Sequence, residues 1–246
     1  MESCLKGAIK DAVLLGYLNK SPLEHFKILT LELEDKKKIQ VFEKDEQALL
    51  IETARNYASS HDDQRWFLRP YLALNTGMRS GEIAGLQWGD IDFEGKTITV
   101  ERNVHYAEGD TKGKVKKPKT KASLRTIYLT DTNVSELNKY RLWISEKLLK
   151  AKVKISEDTF VLMDNDSGIL HRSAARKRWE TIVRQAGLTH RGFHALRHTH
   201  ASNLIDQDLN PKVISVRMGH ESISMTMDTY GHLFKKENQL KTEEAL

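Results

Sequence analysis

Apolar residues at Leu5, Ala8, Ile9, Ala12 and Val13 recur at three- and four-residue spacing, which predicts an amphipathic helix in residues 1 to about 30, ended by a turn near Asn19-Lys20-Ser21-Pro22. The charged stretch from Leu33 to Gln40 follows it and gives that helix no apolar partner, so a boundary is expected near residue 40. Residues 1–40 therefore read as the tail end of a helical domain whose beginning is missing, plus a linker. Beyond it, Leu49, Leu50, Ala54 and Tyr57 mark the buried side of a helix from Lys44 to Ser59. The apolar run from Trp66 to Asn75 is punctuated by Gly77, and a short helix from Ser80 to Gln87 could be capped by Ser80. Alternation and β-branching predict strands at Lys96–Glu101 and Leu124–Leu129, with a third short strand at Thr159–Met163. Val134, Leu137, Trp143, Leu148 and Leu149 anchor a long helix over Asp131–Lys152, and further helices are expected near 171–186, 194–206, 210–217 and 222–229. The order predicts a mostly α domain with a small antiparallel β-sheet inserted, an α+β fold occupying residues 41–246.

Composition narrows the class. Of 246 residues, 39% are hydrophobic, enough for a core, and no unbroken apolar run suits a membrane span. No basic segment followed by an apolar one marks a secretory signal. A lone cysteine, Cys4, excludes an internal disulfide and a multi-thiolate zinc site, and fits a reducing cytoplasm. The net charge of +5 says little, but its distribution says more. From Thr111 to Arg125 the chain carries Lys112, Lys114, Lys116, Lys117, Lys119, Lys121 and Arg125 without one acid, a block suited to a nucleic-acid backbone or equally to a solvated loop.

The candidate chemistry lies in three segments. Breaking a DNA phosphodiester without a metal requires fixed cationic donors for the non-bridging oxygens, a nucleophile, and an acid for the departing 5′-oxygen. Arg79 and Arg197 suit the first task, because a guanidinium binds phosphate bidentately and stays charged. Glu82, three residues after Arg79, could orient it or make a plain intrahelical ion pair. His194 shares a helix face with Arg197, where it could hydrogen-bond a phosphate or accept a tyrosine's proton. His194 and His198 also have the spacing of zinc ligands, but the glutamate of a His-Glu-x-x-His helix is missing, so no metal is assigned. His198 and His200 are read as packing or capping residues. His220 follows Gly219, which ends a short helix, and the helix at 222–229 is expected to bring Tyr230 back towards it. A phenol has an ordinary pKa of about 10, so Tyr230 as nucleophile needs a strongly positive pocket; a buried core tyrosine is the alternative. Lys119 is the first choice for the general acid, with Lys117 and Lys121 behind it. The acidic runs Asp90-x-Asp92-x-Glu94 and Asp164-Asn165-Asp166-Ser167-Gly168 read as turns.

The ordered set in Asn75–Asp92, Lys117–Ile127, His194–Ala201 and Arg217–Leu233 resembles the tyrosine recombinases, the phage-type integrases, over roughly residues 41–235. The resemblance implies that Arg79, Lys119, His194, Arg197 and His220 assemble around the scissile phosphate with Tyr230 as nucleophile. It also implies a 3′-phosphotyrosyl intermediate, strand exchange by a homo-tetramer on double-stranded DNA, a monomer in its absence, and no cofactor, metal or ATP. A phage or mobile element is the implied setting. The short front end leaves an alternative of another class, a DNA-binding protein of the same fold with impaired activity. A metal-dependent hydrolase using His194 and His198 is a third reading.

Overall fold

The computed structural model describes residues 2–23, 39–106, 113–116, 123–165 and 168–244. They group into two compact units, residues 1–38 and 39–246, which are taken separately. The first holds helix α1 (Glu2–Leu14).

In the second unit, Glu46 turns back to accept the Glu43 N–H at 2.8 Å, starting α2 (Lys44–Ser60). Leu50, Ala54, Tyr57 and Ala58 are its buried face, while Leu49 is 44% exposed because it falls one position off that stripe. Helix α3 (Arg65–Thr76) is almost wholly buried and packs against α2 and against α7 (Ala195–Asp206). The short α4 (Ser80–Ala84) follows; Arg79, not Ser80, is its N-cap residue, and the Ser80 hydroxyl accepts from Arg69. Strands β1 (Ile91–Asp92), β2 (Thr97–Val100) and β5 (Arg125–Tyr128) make an antiparallel sheet in the order β1-β2-β5, with Ile98 opposite both Ile91 and Ile127. A hairpin of β3 (Asn103–His105) and β4 (Lys114–Lys116) forms a second sheet. The extended segment predicted at Thr159–Met163 pairs only through isolated bridges, Phe160 with Gln87 and Met163 with Ile169. The first acidic run forms a turn in which Asp92 accepts the Glu94 and Gly95 amides; in the second, Asp164 accepts the amide of Gly168, while Asp166 and Ser167 lie outside the described residues.

Helix α5 (Asp131–Lys150) buries Leu137, Tyr140, Ile144 and Leu148, an uninterrupted helical stripe; Leu149, expected as an anchor, lies just beyond it and is 77% exposed. Then come α6 (Arg172–Gln185), α7, α8 (Pro211–Met218) and α9 (Ile223–Glu244). Helix α9 does not end before Tyr230, as the sequence suggested, but runs through it. Ala201, Ile205, Ile214, Met218 and Tyr230 form a small second core joining α7, α8 and α9. The fold is thus mostly α with small antiparallel sheets, as predicted, and among the described residues no helix is long and apolar enough to cross a membrane.

Candidate active site

Two glycine turns face one another and set the site. Gly77 ends α3 with φ +67°, and a Cβ there would meet His200 Cδ2 at 2.6 Å and Met218 Sδ at 2.8 Å. Gly219 ends α8 with φ +64°, against Arg125. Both positions need glycine for backbone angle and for close approach. Their carbonyls are put to use: Arg197 donates from Nη1 to Gly77 O at 2.6 Å and from Nη2 to Met218 O, while Arg79 donates from Nη2 to Gly219 O at 3.1 Å. Arginines from two distant segments therefore meet at the two turns.

Glu82 ties α4 to β5. Its Oε2 accepts the Arg79 amide and Arg125 Nη2, each at 2.8 Å, and its Oε1 accepts Arg79 Nη1 at 2.8 Å and Arg125 Nη1 at 3.1 Å. Burial alone would raise this carboxyl, but the hydrogen bonds and charge of Arg125, and then of Arg79, hold it down at about 2. Arg125 also donates from Nε to Arg217 O at 2.8 Å. Arg197 touches no carboxylate among the described residues, and Glu82 relieves it only through its charge. Burial, then the charge of Arg79, pushes its guanidinium down to about 9, still protonated at neutral pH. Among the described residues the pocket holds three guanidiniums, Arg79, Arg125 and Arg197, against the one carboxylate of Glu82.

The histidines line this cationic pocket. His194 is the N-cap residue of α7 and is exposed on one side; burial of part of its ring and then the charges of His198, Arg197 and Arg79 lower its pKa to about 4. His220, just past Gly219, bonds through Nδ1 to Thr226 Oγ1 at 2.7 Å, and burial followed by Arg197 and Arg79 lowers it to about 4. His198 Nδ1 lies 2.8 Å from the Tyr230 hydroxyl. Burial and then Arg197 hold His198 below its usual range, which favours the neutral ring. The Tyr230 ring is 1% exposed, and burial, opposed only by Arg197, raises the phenol to about 12.

Arg79, Glu82, His194, Arg197, His220 and Tyr230 thus come to one pocket. The residue that bonds Tyr230 is His198, which sequence reasoning left as packing; its only signal was the four-residue offset from His194 along one helix face. His200, by contrast, is a core residue: Nδ1 meets Leu74 O at 2.8 Å and Nε2 accepts Arg217 Nε at 3.1 Å, leaving one tautomer. The His194 and His198 rings stand edge to face at 4.7 Å, and among the described residues no group of three potential metal ligands gathers. Arg125 departs from the expectation of a DNA-facing residue: its side chain is 3% exposed and its guanidinium is engaged by Glu82. Lys114 and Lys116 are exposed on β4. Lys112, Lys117, Lys119 and Lys121, including the preferred general acid, lie outside the described residues.

The phage integrase family model matches residues 40–237. A tyrosine recombinase XerC-like protein of Caldanaerobacter subterraneus subsp. tengcongensis is 32% identical over 250 residues, covering 96% of this chain and 62% of that protein. The ICEBs1 integrase of Bacillus subtilis is 31% identical over 173 residues, 70% of this chain and 46% of its own. The chain thus spans less than two thirds of the length of these relatives. Among solved structures, the Tn1549 transposon integrase in complex with transposon right end DNA superposes with a TM-score of 0.74 at 22% identity, over 98% of this chain and 76% of that one. XerA recombinase gives a TM-score of 0.60 at 19% identity, over 87% and 66%. At those identities the structural likeness speaks to fold alone, but the family match spans most of the chain and agrees with the ordered motifs: this chain belongs to the phage integrase family of tyrosine recombinases.

Proposed function

We propose that this chain is a site-specific DNA recombinase, its catalytic unit in residues 41–246, that cleaves and rejoins double-stranded DNA through a 3′-phosphotyrosyl intermediate. The observation that carries the reading is the surplus of positive charge at the two glycine turns, with a tyrosine hydroxyl bonded to a histidine of the same pocket. A phosphodiester supplies the anion that Arg197 lacks and a second one for Arg79, which Glu82 already engages through Nη1, and the charge that builds on its oxygens during attack strengthens the interaction. His194 and His220, neutral at pH 7, add hydrogen bonds to those oxygens. Tyr230 Oη attacks phosphorus, its proton passes to His198 Nδ1, and the bond to the 5′-oxygen breaks. That oxygen leaves as a hydroxyl with a proton from Lys119. The bond energy is retained in the phosphotyrosine, so a 5′-hydroxyl of a second strand reverses the step without ATP or metal. Because the phenol ring is enclosed between α7, α8 and α9, attack requires α9 to carry Tyr230 outward.

Lys114 and Lys116, with Lys112, Lys117 and Lys121, are assigned to the DNA backbone. The working assembly is a homo-tetramer holding two DNA sites, the free protein is a monomer, and the setting is the cytoplasm. The reading is tested with nicked suicide duplexes drawn from a randomised pool, incubated in EDTA and resolved on a denaturing gel. A covalent protein–DNA band is expected for the wild type and none for Tyr230→Phe. DNA retardation without any covalent band would leave a binding protein only.

A further inference from the structure

A second positively charged recess lies beside the catalytic pocket and takes no part in the chemistry above. Its innermost cation is Arg69 on α3, which is 8% exposed. The guanidinium stacks on the face of Phe193, 3.6 Å from the ring centroid, and donates from Nη2 to Ser80 Oγ at 2.9 Å. Among the described residues no carboxylate pairs with it, in contrast to Arg125. Burial pushes Arg69 down to about 10, so it keeps its charge at neutral pH. A buried cation held by a hydroxyl and an aromatic face is an incomplete arrangement, since a guanidinium has five donors and this one uses a single direct bond among the described residues.

The space in front of it is a cleft of about 350 Å³, open on one side. Arg172, Arg176 and His190 add positive or titratable groups at its mouth. The one acid there, Glu180, is already bound by Arg176 Nε at 2.7 Å. Trp179 and Tyr106 supply flat apolar wall, and their polar atoms are spent inside the protein, on Arg191 O and Leu170 O respectively. Among the described residues the walls therefore offer aromatic surface and no carboxylate that competes for Arg69.

We propose that this cleft is a binding site for a phosphoryl group carried on a nucleoside, with Arg69 as the inner anchor and Arg172 as the outer one. The same chemistry has two sources, a backbone phosphate of bound DNA or a free nucleotide. The DNA source rests on the function proposed above; the nucleotide source does not.

The test titrates the full chain with thymidine 5′-monophosphate and, separately, with duplex DNA at several salt concentrations, comparing wild type, Arg69→Gln and Arg172→Gln. Arg172 is exposed, so its replacement leaves the fold intact even where loss of Arg69 does not. The expected result is duplex affinity about tenfold weaker in both variants, with the salt slope reduced by about one, the signature of one lost phosphate contact. Nucleotide binding that Arg69→Gln and Arg172→Gln weaken by at least tenfold, but Arg197→Lys leaves unchanged, assigns the free ligand. Duplex and nucleotide binding that both ignore Arg172, with either no response to Arg69→Gln or loss of its fold, overturn the cleft. Should duplex affinity in that case still fall with Arg197→Lys, the catalytic pocket stands without it.

Discussion

Arg125 and Arg197 are both buried in the walls of one pocket, 7% and 3% exposed, yet their charges are treated in opposite ways. Arg125 meets Glu82 through two nitrogens and is neutralised. Arg197 meets the carbonyls of Gly77 and Met218 and, among the described residues, no carboxylate. A buried ion pair whose partners satisfy each other is structural, and removal of one member leaves the other stranded. A buried cation fastened only by carbonyl dipoles is positioned but uncompensated, which is the condition a phosphate relieves. The difference teaches where the fold ends and the anion site begins.

The largest expected effect separates the two arginines by activity. Arg197→Lys keeps the charge but cannot span both carbonyls and a phosphate, so the rate of covalent complex formation should fall about 10²–10³-fold; an unchanged rate in single-turnover assays would remove Arg197 from the site. Next, Arg125→Met leaves the Glu82 carboxylate with Arg79 alone and should destabilise the protein by about 3–5 kcal/mol in urea denaturation. A loss smaller than that of Arg197→Lys would invert the comparison.

Acid sharpens it further. The folded pKa of Glu82 is depressed, from 4.5 to about 2, so its contribution is fully present above pH 4.5 and disappears as pH falls towards 2. The loss across that window should be about 3 kcal/mol, and the difference in pH dependence between wild type and Glu82→Gln isolates it. His200, lowered from 6.5 to about 3 mainly by burial and then by Arg217, behaves in the same sense: neutral when folded, it withdraws stability as pH drops from 6.5 towards 3. The smallest effect belongs to the exposed β4 lysines. Lys114→Ala and Lys116→Ala should each lower the salt dependence of duplex binding by about 0.9 in log–log slope, without altering cleavage of saturated complexes. A cleavage defect at saturating protein would give them a different role.

The sequence made the helical scaffold legible wherever one period ran unbroken. Leu50, Ala54 and Tyr57 in α2, and Leu137 and Leu148 in α5, are buried as their spacing predicts, whereas Leu49 and Leu149, each one position off the stripe, are exposed. The helix expected at 222–229 runs on through Tyr230, whose packing against Ile205, Ile214 and Met218 is a tertiary feature that the local pattern does not carry. The site residues could be named because their types suit phosphate chemistry, but their division of labour could not be read. Nothing along the chain says that Arg125, inside a block of lysines, turns inward to Glu82 across 43 positions. Only the four-residue offset from His194 distinguishes His198, beside the phenol, from His200, two residues on and locked between Leu74 and Arg217. Both distinctions are made by tertiary neighbours.

The central claim, that the cationic pocket serves one phenol, is tested most directly by finding the atom that carries the DNA. The covalent adduct from the suicide-duplex reaction is digested with nuclease and protease, and the nucleotide-bearing peptide is sequenced by mass spectrometry. The account predicts a phosphodiester on Tyr230 and nowhere else. A nucleotide on another residue, such as Tyr128, which is 72% exposed on β5, would contradict it.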